Sequence, residues 1–240
     1  MATLFGVVGL VAGSFVALVS VRWPRGEPFL GGRSHCPACG ATLGPGELVP
    51  VLSYLVLRGR CRTCSTVISW RYAAVEAGAT TIGVASALLV PGVAAAAAVA
   101  GLGWALLLLA LLDGEHFWLP SAVTWPLAAA GLAVTAALAP AALPDHLIGA
   151  AAGYLSLAAM AAGYKALRGR VGLGGGDAKL FAASGAWLGW EALPTVLAAA
   201  AIAGLVVALL LWRRGLTTTT RLPFGIFLAA ATWIVAVFPS

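Results

Sequence analysis

The sequence predicts an all-α polytopic membrane protein, with about eight transmembrane helices and one small cytoplasmic cysteine-rich module between helices 1 and 2. Three observations lead there. Of the 240 residues, 61% are hydrophobic and only 9% are charged, too few polar groups to cover a water-soluble globule of this size. Apolar stretches recur at about the 20-residue length that a bilayer core requires. Counting eight of them puts every Lys and Arg on the same membrane side, and a missed or extra span would scatter the later clusters over both faces.

The stretches run over residues 2–20, 72–90, 93–112, 121–139, 147–164, 178–190, 192–212 and 223–238, the sixth being short. Arg22, Arg25, Arg33, Arg58, Arg60, Arg62 and Arg71 lie between the first two spans. Lys165, Arg168, Arg170 and Lys179 flank the connection between the fifth and sixth, and Arg213, Arg214 and Arg221 join the last two, which accounts for all 14 basic residues. Cytoplasmic connections collect such residues, so these three are expected inside. The net charge of +6 then reads as a topology signal, with attraction to anionic lipid as a consequence, and implies no nucleic-acid partner. Basic residues follow the first span and none precedes it, the reverse of a secretory signal peptide, so this span is expected to be a retained helix with its N-terminus outside. Small residues are dense in the later spans, which lets helices approach closely in lipid. No internal repeat is evident.

The segment 22–71 is rich in Gly, Pro and Arg and holds all four cysteines. Cys36-Pro37-Ala38-Cys39 and Cys61-Arg62-Thr63-Cys64 are two C-x-x-C knuckles, a spacing that lets two thiolates from one tight turn occupy neighbouring corners of a tetrahedral zinc site. Gly40 suits such a turn, and the spacer between knuckles slightly exceeds the usual zinc-ribbon range. Two disulfides or four free thiols are the alternatives, and a cytoplasmic location disfavours the former. A segment this short buries little core, so a metal would supply much of its folding free energy. Four protein ligands would close the site to substrate. His35 reads as a bystander.

Charged groups in or beside a membrane helix are costly, so each of the eight acids needs a reason. Glu27 and Glu47 fall in the soluble module, and Asp145 and Glu191 fall in expected outer connections, where water solvates them. Glu76 lies about one turn inside the second span. It is either an interfacial carboxylate satisfied by an Arg or a group that contacts substrate or supports a site. Asp113 ends the third span before Gly114-Glu115-His116-Phe117-Trp118-Leu119-Pro120, and Asp177 opens the sixth within Gly174-Gly175-Gly176-Asp177-Ala178-Lys179. Alone, each is explained as a helix cap or loop residue, and the glycines as a flexible turn. Neither the dinucleotide nor the Walker spacing is present in the run from Gly172 to Gly176. Together they gain weight, because the topology puts both carboxylates at one membrane face. Two close carboxylates share a proton, an arrangement suited to peptide hydrolysis in which one activates water and the other protonates the leaving group.

These strings resemble the two aspartate signatures of the prepilin peptidase (type IV leader peptidase) family: Leu112-Asp113 with Leu119-Pro120, and Gly174-x-Gly176-Asp177-x-Lys179. Also similar are Gly13-Ser14-Phe15, Pro50-Val51-Leu52-Ser53-Tyr54, Leu57-Arg58-Gly59-Arg60-Cys61, Ile68-Ser69-Trp70-Arg71-Tyr72 with Val75-Glu76, and Pro223-Phe224-Gly225. The resemblance covers nearly the whole chain. It implies a membrane aspartic protease of a bacterial cytoplasmic membrane, which cuts the basic leader from prepilins or pseudopilins at the cytoplasmic face. Asp113 and Asp177 would be catalytic, Gly174, Gly176, Lys179 and Glu76 would bind substrate or support the site, and Cys36, Cys39, Cys61 and Cys64 would hold structural zinc. Longer members also N-methylate the new N-terminus with S-adenosylmethionine. Here Ala17 stands where the family usually has Asn, Ala73 where it has Pro, and Ser121 where an acid is common, and the first two bear on that second activity. The implied division is helix 1 at 1–21, the metal-binding module at 22–71 and a membrane catalytic domain at 72–240.

Two rivals remain at this point. A transporter or scaffold with a zinc-binding partner module would want polar groups near the bilayer midplane, and the spans are almost uniformly apolar. A methyltransferase or pseudoenzyme on the same fold would keep the architecture and lose proteolysis. Serine or cysteine protease chemistry is disfavoured, since His116 and His146 fall on opposite faces and no cysteine lies outside the module.

Overall fold

The computed structural model describes residues 1–31, 34–36, 38–47, 49–169, 174–213 and 222–238. Arg33, Arg170, Arg214 and Arg221 of the basic clusters, Pro37 of the first knuckle and Gly172 of the glycine run lie outside these. The described chain is helical: α1 (Ala2–Arg22), α2 (Leu52–Val56), α3 (Arg71–Leu89), α4 (Val93–His116), α5 (Ser121–Leu138), α6 (Leu143–Arg168), α7 (Gly175–Leu188), α8 (Leu193–Arg213) and α9 (Phe224–Val237). Only isolated bridges, His35 with Thr42 and Arg60 with Val67, interrupt this pattern among the described residues. Six helices, α1, α3, α4, α5, α6 and α8, are long and apolar enough to cross a membrane, and α7 and α9 are shorter at 14 residues each. Together they match the expected spans in order.

The helix ends follow local chemistry. Gly169 closes α6 in the left-handed conformation, φ 65°, and Lys165 and Arg168 occupy its last turn, where they complement the helix dipole. Pro144 begins α6, a position where its missing N–H costs nothing. Just beyond α4, Phe117 is a non-glycine residue at φ 52° whose N–H bonds Asp113 O at 2.8 Å.

The chain forms two compact units, Met1–Trp104 and Ala105–Ser240, a division by packing that groups the cysteine module with the helices flanking it. In the first, α1 lies on α3 because Gly9 and Gly13 let the backbones meet. A Cβ on Gly9 would fall 2.7 Å from Ala79 O, and one on Gly13 would fall 2.7 Å from Glu76 Cα. Phe5, Ala96 and Ala100 form a buried cluster there, and the indole of Trp104 donates to Ala79 O at 2.8 Å.

In the second unit α7 is central, with nine of its 14 residues buried. Its Ala, Gly and Ser content gives it no polar face to keep in water, so it packs on all sides. Gly149 and Gly153, one turn apart on α6, abut the α7 backbone at Gly185 and Phe181. The Ser184 and Thr232 hydroxyls, 2.7 Å apart, tie α7 to α9, and the Trp187 indole donates to Leu127 O of α5 at 2.8 Å. At the C-terminal end of α7, His146 Nδ1 lies 3.0 Å from both Thr135 Oγ1 and Ala186 O, far from Asp177.

Candidate active site and cysteine cluster

Asp113 occupies the last turn of α4 and is only 6% exposed. A helix C-terminus carries partial negative charge, so its own helix opposes ionisation there. Compensation comes from another helix. Pro223 precedes α9, and the N–H groups of Gly225 and Ile226, which have no acceptor inside α9, are directed at the Asp113 carboxylate. Its Oδ2 is buried without a hydrogen-bond partner among the described residues.

Asp177, 7% exposed, is the third residue of α7, and its Oδ2 accepts the Gly174 N–H at 3.2 Å across the first turn. The two carboxylates are near enough for their charges to interact. Leu119 packs against the glycines beside both. A Cβ on Gly176 would fall 2.7 Å from Leu119 Cβ, and one on Gly225 would fall 3.0 Å from Leu119 Cδ1. Leu119 therefore fills the gap between the first turns of α7 and α9, which glycine keeps open on both sides. Two residues past Asp177, Lys179 Nζ donates to Ser121 Oγ at 2.6 Å and links α7 to the first turn of α5.

The four cysteines form a second cluster, in the first compact unit. Each offers a sulfur, and the four lie within 4.8 Å of one another. The two knuckles repeat one turn. Cys36 N–H bonds Ala41 O and Gly40 N–H bonds Cys36 O, while Cys61 N–H bonds Thr66 O and Ser65 N–H bonds Cys61 O, all at 2.9 Å. Gly40 at φ 69° corresponds to Ser65 at φ 58°. The N–H groups of Cys39 and Ala38 hold the Cys36 thiol below its usual range, and the hydroxyl and backbone of Thr66 hold Cys64 at about 6, so both favour the thiolate that a metal needs. Tetrahedral bonds of about 2.3 Å to zinc would set sulfurs about 3.8 Å apart. Cys36 Sγ and Cys64 Sγ are 3.8 Å apart. The donor set fits a closed four-sulfur metal site, and His35 is not part of it.

Comparison with known proteins agrees with this division. The model of the bacterial peptidase A24 N-terminal domain matches residues 7–90, and that of the type IV leader peptidase family matches residues 100–209. The prepilin leader peptidase/N-methyltransferase of Burkholderia pseudomallei (strain K96243) is 45% identical, across 93% of this chain and 81% of its own length. The chain belongs to the type IV leader peptidase family. Proteins of the same name from Pseudomonas putida and Aeromonas hydrophila are 36% and 41% identical, across 98% and 86% of this chain and 90% and 71% of their own lengths. No solved structure matches the chain.

As a leader peptidase family member, the chain is a multi-pass membrane protein whose two domain matches fall on either side of the α3–α4 connection. Asp113, Asp177, Gly174, Gly176 and Lys179 all lie in the second compact unit. Glu76 lies in the first, where its buried carboxylate accepts the Val51 N–H at 2.8 Å and a hydrogen bond from the Ser14 hydroxyl. One backbone and one hydroxyl donor, rather than an Arg, thus meet the carboxylate among the described residues. In the sequence, Gly225 and Leu119 belong to strings that resemble the family and Ser121 departs from it, and none of the three carries a sign of a site contact. The available signal was positional: a glycine directly after Pro-Phe at a helix start, where several N–H groups are free to meet an anion.

Proposed function

We propose that the chain removes leaders from prepilins or pseudopilins, with Asp113 and Asp177 as the catalytic pair. One observation carries this reading: two acids distant in sequence are each more than nine-tenths buried, within electrostatic reach of each other, at helix ends. One aspartate, ionised, takes a proton from water as the water oxygen attacks the scissile carbonyl. Its protonated partner stabilises the oxyanion and then delivers its proton to the leaving amine, so the pair ends the cycle with one shared proton. Gly225 and Ile226 hold Asp113 in place through backbone N–H groups, and Gly174 does the same for Asp177. The dyad titrates as a unit, so base and acid are properties of the pair.

The basic clusters support an N-terminus outside and the aspartates at the cytoplasmic face of the inner membrane. The cysteine cluster supports structural zinc bound by Cys36, Cys39, Cys61 and Cys64, which would brace the loop between α1 and α3. The relatives' shared name supports a second activity, N-methylation, for which S-adenosylmethionine would be the methyl donor. The transporter and scaffold readings are disfavoured, because the buried acids sit at helix ends and relatives across nearly the whole chain are named as peptidases.

The test is cleavage in vitro of a synthetic prepilin leader fused to a hydrophobic helix, with and without S-adenosylmethionine. Asp113→Asn and Asp177→Asn should each abolish cleavage in protein that still purifies as a folded membrane species. Unchanged cleavage by either variant would defeat the dyad assignment. The mass of the wild-type product reports methylation separately.

A further inference from the structure

Helix α2 carries apolar residues at positions i, i+3 and i+4, and all three point away from the protein: Leu52 is 59% exposed, Leu55 65% and Val56 79%. Such a stripe on a surface helix normally faces a core. Here Tyr54 makes the inward contact, lying under Gly59, whose Cβ position would meet the Tyr54 ring at 2.8 Å. Leu52 and Val56 also border an open cleft of about 560 Å³, lined by Val49 and Leu57 and, at its polar edge, by Glu47, Ser53 and Arg62.

Hydrogen bonds within the same compact unit fix the depth of α2. The guanidinium of Arg71 donates to Ser20 Oγ at 2.9 Å, which marks the charged end of the α1–α3 pair. Arg22 ends α1 just beyond. Val51, the residue before α2, donates its N–H to Glu76 at 2.8 Å, and the same carboxylate takes the Ser14 hydroxyl. Ser14 precedes Ser20 by six residues on α1, about 9 Å of helix rise toward the membrane interior. The start of α2 is thus drawn below the level of the Arg71 charge. Trp70 and Tyr72, at 72% and 37% exposure, stand at the same boundary, where aromatic belts occur.

We propose that α2 is an interfacial helix whose Leu52, Leu55 and Val56 side chains are immersed in phospholipid at the headgroup–acyl boundary. The cysteine module would then rest on the bilayer rather than stand free of it. Arg58, Arg60 and Arg62, which follow α2 directly, would lie within reach of anionic headgroups.

The experiment places the photocrosslinker benzoylphenylalanine at Leu55 or, separately, at Val56 of the full chain. The protein is reconstituted in nanodiscs of phosphatidylethanolamine and phosphatidylglycerol and analysed by intact mass after irradiation, with or without added prepilin. Ile202, exposed on the long apolar helix α8, serves as the lipid-facing control. Phospholipid adducts at position 55 or 56, as at 202, are expected. Crosslinks from both positions to peptides of the chain itself would overturn the proposal by showing the face covered by protein. Crosslinks to prepilin would overturn it in favour of a substrate surface. Loss of any adduct at both positions while 202 reacts would place α2 in water and equally overturn it.

Discussion

Gly225 stands so close to Asp113 that a Cβ on it would lie 2.7 Å from Oδ2 and 2.9 Å from Cγ of the carboxylate. The contact joins the start of one helix to the end of another, and a methyl group added there would collide with one of the two proposed catalytic carboxylates. Gly225→Ala should therefore lower kcat by about 100-fold, since a displacement near 1 Å at a catalytic group has that cost, with KM little changed. Gly114→Ala is the contrast. Its Cβ would meet only Ile226 Cδ1, the movable end of a side chain, at 2.8 Å, and cleavage should fall much less. Steady-state kinetics of both variants check the difference, and equal losses would remove the special role given to Gly225.

A shared proton has a pH signature. At low pH both aspartates are protonated and no base remains, and at high pH both are ionised and no acid remains. The rate of cleavage should rise and then fall with pH, a bell whose two limbs belong to the pair. Measuring kcat/KM against pH on a prepilin peptide with no titrating residue at the scissile bond tests this. A single-limbed profile would contradict the two-carboxylate mechanism.

Ser65 holds a left-handed backbone that its counterpart Gly40 adopts without a Cβ. Ser65→Gly should stabilise the metal-bound module by about 1 kcal/mol, and Gly40→Ala should destabilise it by a similar amount. Chelator concentration at half release of metal, measured for both variants, should move in opposite directions.

Metal analysis should find one ion for each chain, bound by four sulfurs. All four thiols should be protected from a thiol reagent while the metal is bound and become reactive together on chelation, as the module loses its fold. Uniform fast labelling before chelation would contradict a closed site.

Much of this was legible in the sequence because a bilayer imposes length and polarity on each span. The expected stretches 72–90 and 121–139 became α3 and α5 within a residue or so, and the expected short span became the 14-residue α7. Helix α6 runs beyond its expected 147–164 at both ends, since a helix continues through Pro144 and Asp145 at its start and through Lys165 and Arg168 at its close, where hydropathy has already fallen. Asp113 and Asp177 stood out because acids are costly at helix ends in lipid. Leu119 and Gly225 did not, because their contacts come from turns of different helices brought together by packing. The partners of Glu76 were hidden for a similar reason. One is the N–H of Val51, a residue at φ 61° in a loop with no periodicity to read.

The 14-residue length of α7 and α9 has a consequence for the surrounding lipid. Each rises about 21 Å, against roughly 30 Å of hydrocarbon. Both helices begin beside the aspartates, Asp177 within the first turn of α7 and Asp113 against the first turn of α9. Helix α7 is enclosed by its neighbours, so its missing length is met by protein, and α9, which keeps Ile234 exposed, is the one of the two that presents a short apolar span to lipid. The proposed dyad would then stand at the level where both short helices begin, and water would reach it across less than a full hydrocarbon thickness.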